Sequence, residues 1–366
     1  MRIISNHNLI TFVIMGAVLL GCAGNKSVVS YKTKKAPKLL KKLKKDNHKG
    51  VMLGHEDALA YGIGWKHTKI DSLQSDVKKA TNKFPVVMGW DLGGIGDAAN
   101  LDGVSFNDMK LLAIQSHEKG AINTFNWHPF IYSDTISSWD TSTKIVETIL
   151  PGGNKHQALI LKLDQIATFI SSLKTKSNKS IPVIFRPWHE MNGTWFWWGK
   201  DYCTPEEYKA LFKFTVDYLK RDKGLDNLII AYSPDRQFYT EKQYLEWYPG
   251  DAYVDILGVD NYYDFTENGD GLQAVINKLN IVVGLADERG KLAAFTETGS
   301  DKLLDSAWFT DKLSKVLIES ELYKKISYVL LWRNRDEEHF YVPYKGHPAF
   351  QDFIEFTKNE NILLLK

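Results

Sequence analysis

At 366 residues, with 44% hydrophobic and 25% charged residues and ordinary levels of glycine and proline, the chain has the composition of a compact globular protein, which excludes a disordered or fibrous one. The departure is aromatic: 11 Trp, 17 Tyr and 18 Phe exceed what a core of this size needs, so some rings are expected to face a ligand. The net charge of +2 conceals an asymmetry, because residues 1–49 carry Arg2 and ten lysines against Asp46 alone, +10, and leave −8 for the remainder; a body of that sign is a poor partner for nucleic acid.

Arg2 and polar residues precede an apolar run from Leu9 to Leu20, too short to span a bilayer comfortably and of the size of a signal-peptide core. Residues 1–21 are therefore expected to be a removable leader. The run ends in Leu19-Leu20-Gly21-Cys22, which resembles the lipobox of bacterial lipoproteins, and the resemblance implies that Cys22 becomes the lipidated first residue. Cys203 is then the only other cysteine, so no intramolecular disulfide can form. Ala23 does not look like an inner-membrane retention signal, and the basic segment lacks the acidic cluster associated with surface export. The expected location is the outer membrane, facing the periplasm, with the cell surface as the alternative. Residues 22–49 read as a lipidated basic stalk, in which Lys32, Lys34, Lys35, Lys38, Lys41, Lys42, Lys44 and Lys45 surround Leu39, Leu40 and Leu43, the stalk running into a short amphipathic helix with solvated lysines. In a sharper reading those lysines touch anionic lipid headgroups, at about 1 kcal/mol per basic residue close to the surface.

From residue 50 to 366, apolar and β-branched runs alternate with longer segments of helical period. The expected strands are 51–54, 86–90, 121–127, 182–186, 228–232, 254–259, 292–296 and 326–332, and the expected helices include 106–119, 161–174, 205–220 and 308–320. Eight βα repeats with no linker between them predict an α/β fold, a single (β/α)8 TIM barrel. The active site of such a barrel lies at the C-terminal mouth, so polar residues just past each strand are the informative ones. They are His55-Glu56-Asp57, Asp91, His128, His189-Glu190, Ser233 with Asp235, Asp260-Asn261-Tyr262, Glu297 and Trp332-Arg333.

The densest stretch runs from Phe185 to Gly199 and sets four tryptophans around His189-Glu190. Apolar rings disfavour a charged carboxylate, so Glu190 is expected to hold its proton and act as a general acid, the group that must protonate a departing glycosidic oxygen. Glu297, in Phe295-Thr296-Glu297-Thr298-Gly299, sits near hydroxyls and, across the mouth, near Arg186 or Tyr262, which suits an ionised nucleophile. Strands four and seven of a closed barrel face each other. A separation of about 5–5.5 Å would give a covalent glycosyl-enzyme and retention, and a wider one would admit a water and invert. His189-Glu190 also begins like a His-Glu-x-x-His zinc site, but the second histidine position is Gly193 and the segment is a strand end. No metal and no cofactor is expected.

Arg186-Pro187-Trp188-His189-Glu190-Met191-Asn192-Gly193, then Trp195-Phe196-Trp197-Trp198, Asp260-Asn261-Tyr262, Thr296-Glu297-Thr298-Gly299 and Trp332-Arg333 resemble glycoside hydrolase family 26, retaining (β/α)8 enzymes dominated by β-mannanases. The resemblance covers residues 50–366. It implies Glu190 as acid/base, Glu297 as nucleophile, Tyr262 as a hydrogen-bond partner of the nucleophile and His189 as a neighbour of the acid. It further implies Trp332 as the floor of the subsite for the attacked sugar and Trp195 as the leaving-group platform. Arg333 and His128 match sugar contacts on the non-reducing side, while Trp197 and Trp198 are open between packing and binding.

The implied substrate is a β-1,4-mannan or manno-oligosaccharide, with mixed-linkage β-glucan or β-1,3-xylan as alternatives within the family. A monomer is expected. The segments 93–103 and 131–153 are long and glycine-rich or polar, and are expected to wall the groove and favour release of mannobiose from chain ends. The rival from another class is a non-catalytic glycan-binding lipoprotein, which has no need of two carboxylates on strands four and seven.

Overall fold

Strands in a parallel sheet are covered on both faces, so they read as short continuous apolar runs rather than alternating ones. In the computed structural model, which describes residues 36–46, 49–68, 73–131 and 136–365, eight such runs form β1 (Val51–Glu56), β2 (Val87–Asp91), β3 (Ile122–Asn126), β4 (Val183–Arg186), β5 (Leu228–Tyr232), β6 (Ile256–Asn261), β7 (Leu292–Thr298) and β8 (Ile326–Leu331). Each pairs in parallel with the next, and β1 pairs with β8 from Met52↔Tyr328 to His55↔Leu331, which closes the barrel. The leader and Cys22 lie outside the described residues.

Local chemistry marks where the crossover helices begin. In α2 (Phe106–Glu118) the Ser105 hydroxyl accepts from the Asp108 amide at 3.3 Å, and α4 (Pro205–Asp217), which follows α3 (His156–Ser172), opens on a reciprocal Thr204 and Glu207 capping box with proline at its first position. The expected helix at 308–320 is instead two wide-turned segments, Trp308–Leu313 and Lys315–Glu319. A ninth strand, β9 (Ile362–Leu365), was not expected. It lies parallel to β1 and antiparallel to residues 84–85, outside the closed ring.

Strands β1, β6 and β7 each run two residues further than the apolar pattern predicts. Their polar ends stay in the ladder because they bond one another: Glu297 is in register with Asp260 and Thr298 with Asn261, and the Thr298 hydroxyl donates to the Asn261 carbonyl at 2.8 Å. Several site residues thus sit on the strands themselves and not on the loops beyond them.

The opposite end of the barrel is closed by the first described element, α1 (Ala36–Asp46). Ala36, Leu39 and Leu43 are buried in one cluster with the inward-facing Met52, Val87, Ile122, Ile184, Ile229, Ile256 and Leu330. Lys38, Lys41 and Lys44 on the same helix are exposed, as expected of a solvated face. The leucine face is a plug in the barrel floor, and the boundary expected at residue 50 cuts through that packing.

Candidate active site

The turn after β4 places Glu190. Trp188 (φ 53°) and Glu190 (φ 56°) both take the left-handed backbone conformation that side chains disfavour. Several bonds hold it. The Glu190 amide donates to the Ser233 carbonyl at 2.8 Å, the Trp188 indole to the Thr215 hydroxyl at 3.0 Å, and Tyr208 to the Trp188 carbonyl at 2.9 Å. A Cβ on Gly193 would come within 2.4 Å of the Trp195 ring, so glycine there lets that ring lie over the turn. The Trp195 indole donates to Glu190 Oε2 at 2.7 Å. Although partly exposed to the cleft, Glu190 is desolvated at the bottom of the mouth, and this, followed by the charges of Asp260 and Asp235, raises its carboxyl well above the usual range. Trp197 and Trp198 are wholly buried, and Trp198 donates to the His189 carbonyl at 2.9 Å and stacks on Phe196, so both pack the turn.

Glu297 faces it from β7. The register of β7 against β6 shifts between Phe295 and Glu297, a bulge that re-aims the side chain into the mouth. Arg186 and Tyr262, both named from the sequence as candidate supports, bond it together: the Arg186 guanidinium donates to Oε1 and the Tyr262 hydroxyl to Oε2 at 2.9 Å. Arg186 also donates to Asp260 at 2.8 Å, and Asp260 accepts from Ser233 at 2.7 Å. Glu190, Asp260 and Glu297 each present an oxygen within 4.8 Å of the others. Three carboxylates at that spacing could bridge a cation. Here Asp260 and Glu297 already share the buried positive charge of Arg186, which leaves the donor set matched to a guanidinium rather than a metal. The turn after β4 carries no helix and Gly193 no ligand atom, so the zinc-site pattern has no structural counterpart there.

A second group lines the side of β1, β3 and β8. His128 bonds Asp91 through Nδ1 and meets His189 through Nε2 at 3.2 Å. Burial, then the Arg186 charge, lowers His189 well below its ordinary value, so it is a neutral ring beside the acid. Trp332 is partly exposed, with its ring 6.4 Å from that of His128. Arg333 pairs with Asp102 at 3.0 Å and reaches Tyr61, which donates to Asp57 at 2.5 Å. Every candidate except Cys22, which lies outside the described residues, therefore comes to one mouth. Sequence reasoning missed Trp139, 49% exposed and stacked on His128 with ring centroids 5.1 Å apart, and it missed the tie from Asp102 to Arg333. Both lie in the two long loops singled out for walling the groove, which was the available signal. Two grooves adjoin the centre. One of about 680 Å³ runs from Tyr262 past Gly299 to Leu304 and Tyr341, and one of about 670 Å³ runs from Asn192 past Arg236 to Trp247.

A closed (β/α)8 barrel with a proton-holding carboxyl on β4, a guanidinium-bound carboxylate on β7 and an aromatic cleft between grooves defines the class of (β/α)8 glycoside hydrolases. The model for glycosyl hydrolase family 26 matches residues 28–328, and the chain belongs to that family. It is similar to a β-mannanase structure from Bacteroides ovatus, at 40% identity over 90% of this chain and 94% of that one, with a TM-score of 0.85. A modular endo-β-1,4-mannanase from Cellulomonas fimi matches at 32% identity over 92% of this chain and 77% of that one, with a TM-score of 0.82. A mannan endo-1,4-β-mannosidase from Bifidobacterium adolescentis is 33% identical over 90% of this chain, which spans 34% of that protein's length. One from Bacillus subtilis is 29% identical over 75% of this chain and 73% of its own.

Proposed function

We propose that the protein is a retaining β-mannanase that hydrolyses β-1,4-mannosidic bonds of mannan or manno-oligosaccharides, with Glu190 as acid/base and Glu297 as nucleophile. The observation that carries this reading is the opposed pair itself: an oxygen of each lies within 4.8 Å of one of the other, which fits the about 5–5.5 Å spacing of double displacement better than the about 6.5–9.5 Å that makes room for an attacking water. The sugar's anomeric carbon would sit between them. Glu190 gives its proton to the departing glycosidic oxygen while a Glu297 oxygen forms a bond to carbon. Glu190, now ionised, takes a proton from the water that releases the sugar, and both carboxyls return to their starting states. Arg186 and Tyr262 hold Glu297 in place and favour its charge, Trp332 offers a ring face to the attacked sugar, and Trp195 one to the leaving group. His189 and Asp260 position these groups, and His128 and Arg333 contact sugar on the non-reducing side.

The mannan assignment rests on the names of the family relatives. A time course on unsubstituted mannan, galactomannan, mixed-linkage β-glucan and β-1,3-xylan tests it, and preference for either of the last two overturns it. Nuclear magnetic resonance of the first-formed product tests the mechanism, since a β-anomer supports retention and an α-anomer refutes it. Glu297→Ala should lose nearly all turnover while still holding ligand, and Glu190→Gln should lose about 10²–10⁴-fold in kcat; a non-catalytic binding protein would lose neither. Release of mannobiose from chain ends is supported by the wall that Asp102, Arg333 and Trp139 build on one side, and an early broad ladder of products counts against it. The chain is further proposed to act as a monomer held by acylated Cys22 at the outer membrane, facing the periplasm. Mass spectrometry of the mature N-terminus checks the acylation, protease access in whole cells the orientation, and sedimentation equilibrium the monomer.

A further inference from the structure

We infer that the barrel floor, the end opposite the active site, is a docking surface for an anionic lipid bilayer. Six of the eight barrel strands are preceded within four residues by a lysine: Lys49, Lys83, Lys119, Lys179, Lys291 and Lys325. Five of these are exposed and Lys291 is half-buried, so the N-terminal ends of the strands carry a ring of ammonium groups interrupted at β5 and β6, which Asp226 and Asp255 precede. Helix α1 lies inside that ring as the floor plug, and its exposed Lys38, Lys41 and Lys44 add to it. Acids on this end partly offset the charge. Lys325 pairs with Asp287 at 2.9 Å and Lys176 with Glu118 at 3.6 Å, while Lys291 is flanked by Asp251 and Asp255. The mouth has the opposite sign: beyond the buried carboxyls that hold protons, Asp91, Asp260, Glu267, Glu297, Asp301, Asp305, Asp336, Glu337 and Glu338 outnumber Arg186, Arg236, Lys302, Lys312, Arg333 and Arg335. The molecule is thus a charge dipole along the barrel axis, and a negatively charged plane attracts one end and repels the other.

Three features select a bilayer as the occupant. The positive end is broad and set around a helix, the shape of a contact with a flat surface. Thirteen residues separate Cys22 from α1, a span of at most about 50 Å when fully extended, so under the lipid-anchor reading, on which the inference rests only for delivery to the membrane, the chain tethers the floor helix within that distance of the headgroups. The leucine face of α1 is already spent on the barrel, since Leu39 and Leu43 are buried against strand residues and Leu40 is half-buried against the same cluster, so the described leucines of the helix face the barrel rather than acyl chains. Contact is therefore electrostatic, and it turns the substrate cleft away from the membrane towards arriving polysaccharide.

The test uses residues 22–366 made without the leader, so that Cys22 stays unacylated, and co-sedimentation with vesicles of phosphatidylcholine alone or with one-third phosphatidylglycerol. Binding is expected to the anionic vesicles only and to be reversed by salt. Lys38→Gln with Lys41→Gln should weaken it about thirtyfold, and Lys83→Gln, Lys119→Gln and Lys179→Gln together on the order of a hundredfold. Lys302→Gln, at the mouth, should change nothing. Hydrolysis of a soluble oligosaccharide and Tm should stay at wild-type values, and if the α1 pair disturbs folding the strand-end triple still gives the answer. Equal binding to neutral vesicles, no binding, or binding indifferent to both floor variants overturns the inference. So does sedimentation equilibrium showing a dimer that the same variants dissolve, which would make the floor a self-association face. Acylation of Cys22, read by mass in the native host, stands or falls independently.

Discussion

The Trp195 indole is the one described hydrogen-bond donor to the Glu190 carboxyl, and it favours the charged form against the desolvation and the neighbouring acids that favour the neutral one. Removing the bond while keeping a ring face, as in Trp195→Phe, should therefore raise the pKa of Glu190 further. Activity that needs a protonated Glu190 is present below its folded pKa and lost as pH rises through it, so the alkaline limb of kcat/KM should move to higher pH in Trp195→Phe. A limb that stays in place or moves towards acid shows that another group sets it. Trp139 invites a separate measurement: its open face beside His128 should serve a sugar, and Trp139→Ala should raise KM for long substrates more than it lowers kcat.

At the scale of elements, the floor helix is where sequence and structure part most instructively. The spacing of Leu39 and Leu43 announces an amphipathic helix, yet what its apolar face meets is a layer assembled from all eight barrel strands, spread over nearly three hundred residues. No local period encodes such a partner. Because Leu43 is buried there, Leu43→Ala should cost about 2–4 kcal/mol in stability, read from the denaturant midpoint, with turnover per folded molecule unchanged; an unshifted midpoint would show that the helix does not close the barrel. The eight strands were legible because each is a continuous apolar run bounded by turn residues, and the opposed carboxyls because Glu190 lies in a run of tryptophans and Glu297 among hydroxyls on the facing strand. Three features were not legible. Strand β9 is four apolar residues at the chain end whose pairing with β1 spans the whole fold, the wide-turned segments at 308–319 have a helical period but a different hydrogen-bond pattern, and the bulge that aims Glu297 appears only as a register shift between neighbours.

Among the described residues, acids crowd beside the cleft and are held there against electrostatics. Glu56, the last residue of β1, has both carboxyl oxygens buried without a hydrogen-bond partner, and burial, then the charges of Asp57 and Asp91, raises its pKa well above the ordinary value. Asp57 is raised in the same way and Asp102 to about 6, so the fold retains protons that the unfolded chain releases. The sign follows from linkage. A carboxyl whose folded pKa lies above its unfolded one contributes most below the unfolded value, and that contribution is lost as pH climbs from there to the folded value. Buried histidines such as His55 and His189 act in the opposite direction below about pH 6.5, so the pH profile of the wild type alone is a mixture. Glu56→Gln separates the two, because the amide mimics the protonated acid at every pH and leaves the histidines as they were. The stability difference, variant minus wild type, should grow steadily from about pH 4.5 upward until the folded pKa of Glu56 is passed, whatever constant offset the extra amide proton adds. A difference that is flat with pH would mean that Glu56 is ionised in the folded state, and with it that the crowding of acids around the cleft is relieved by ions or water rather than by bound protons.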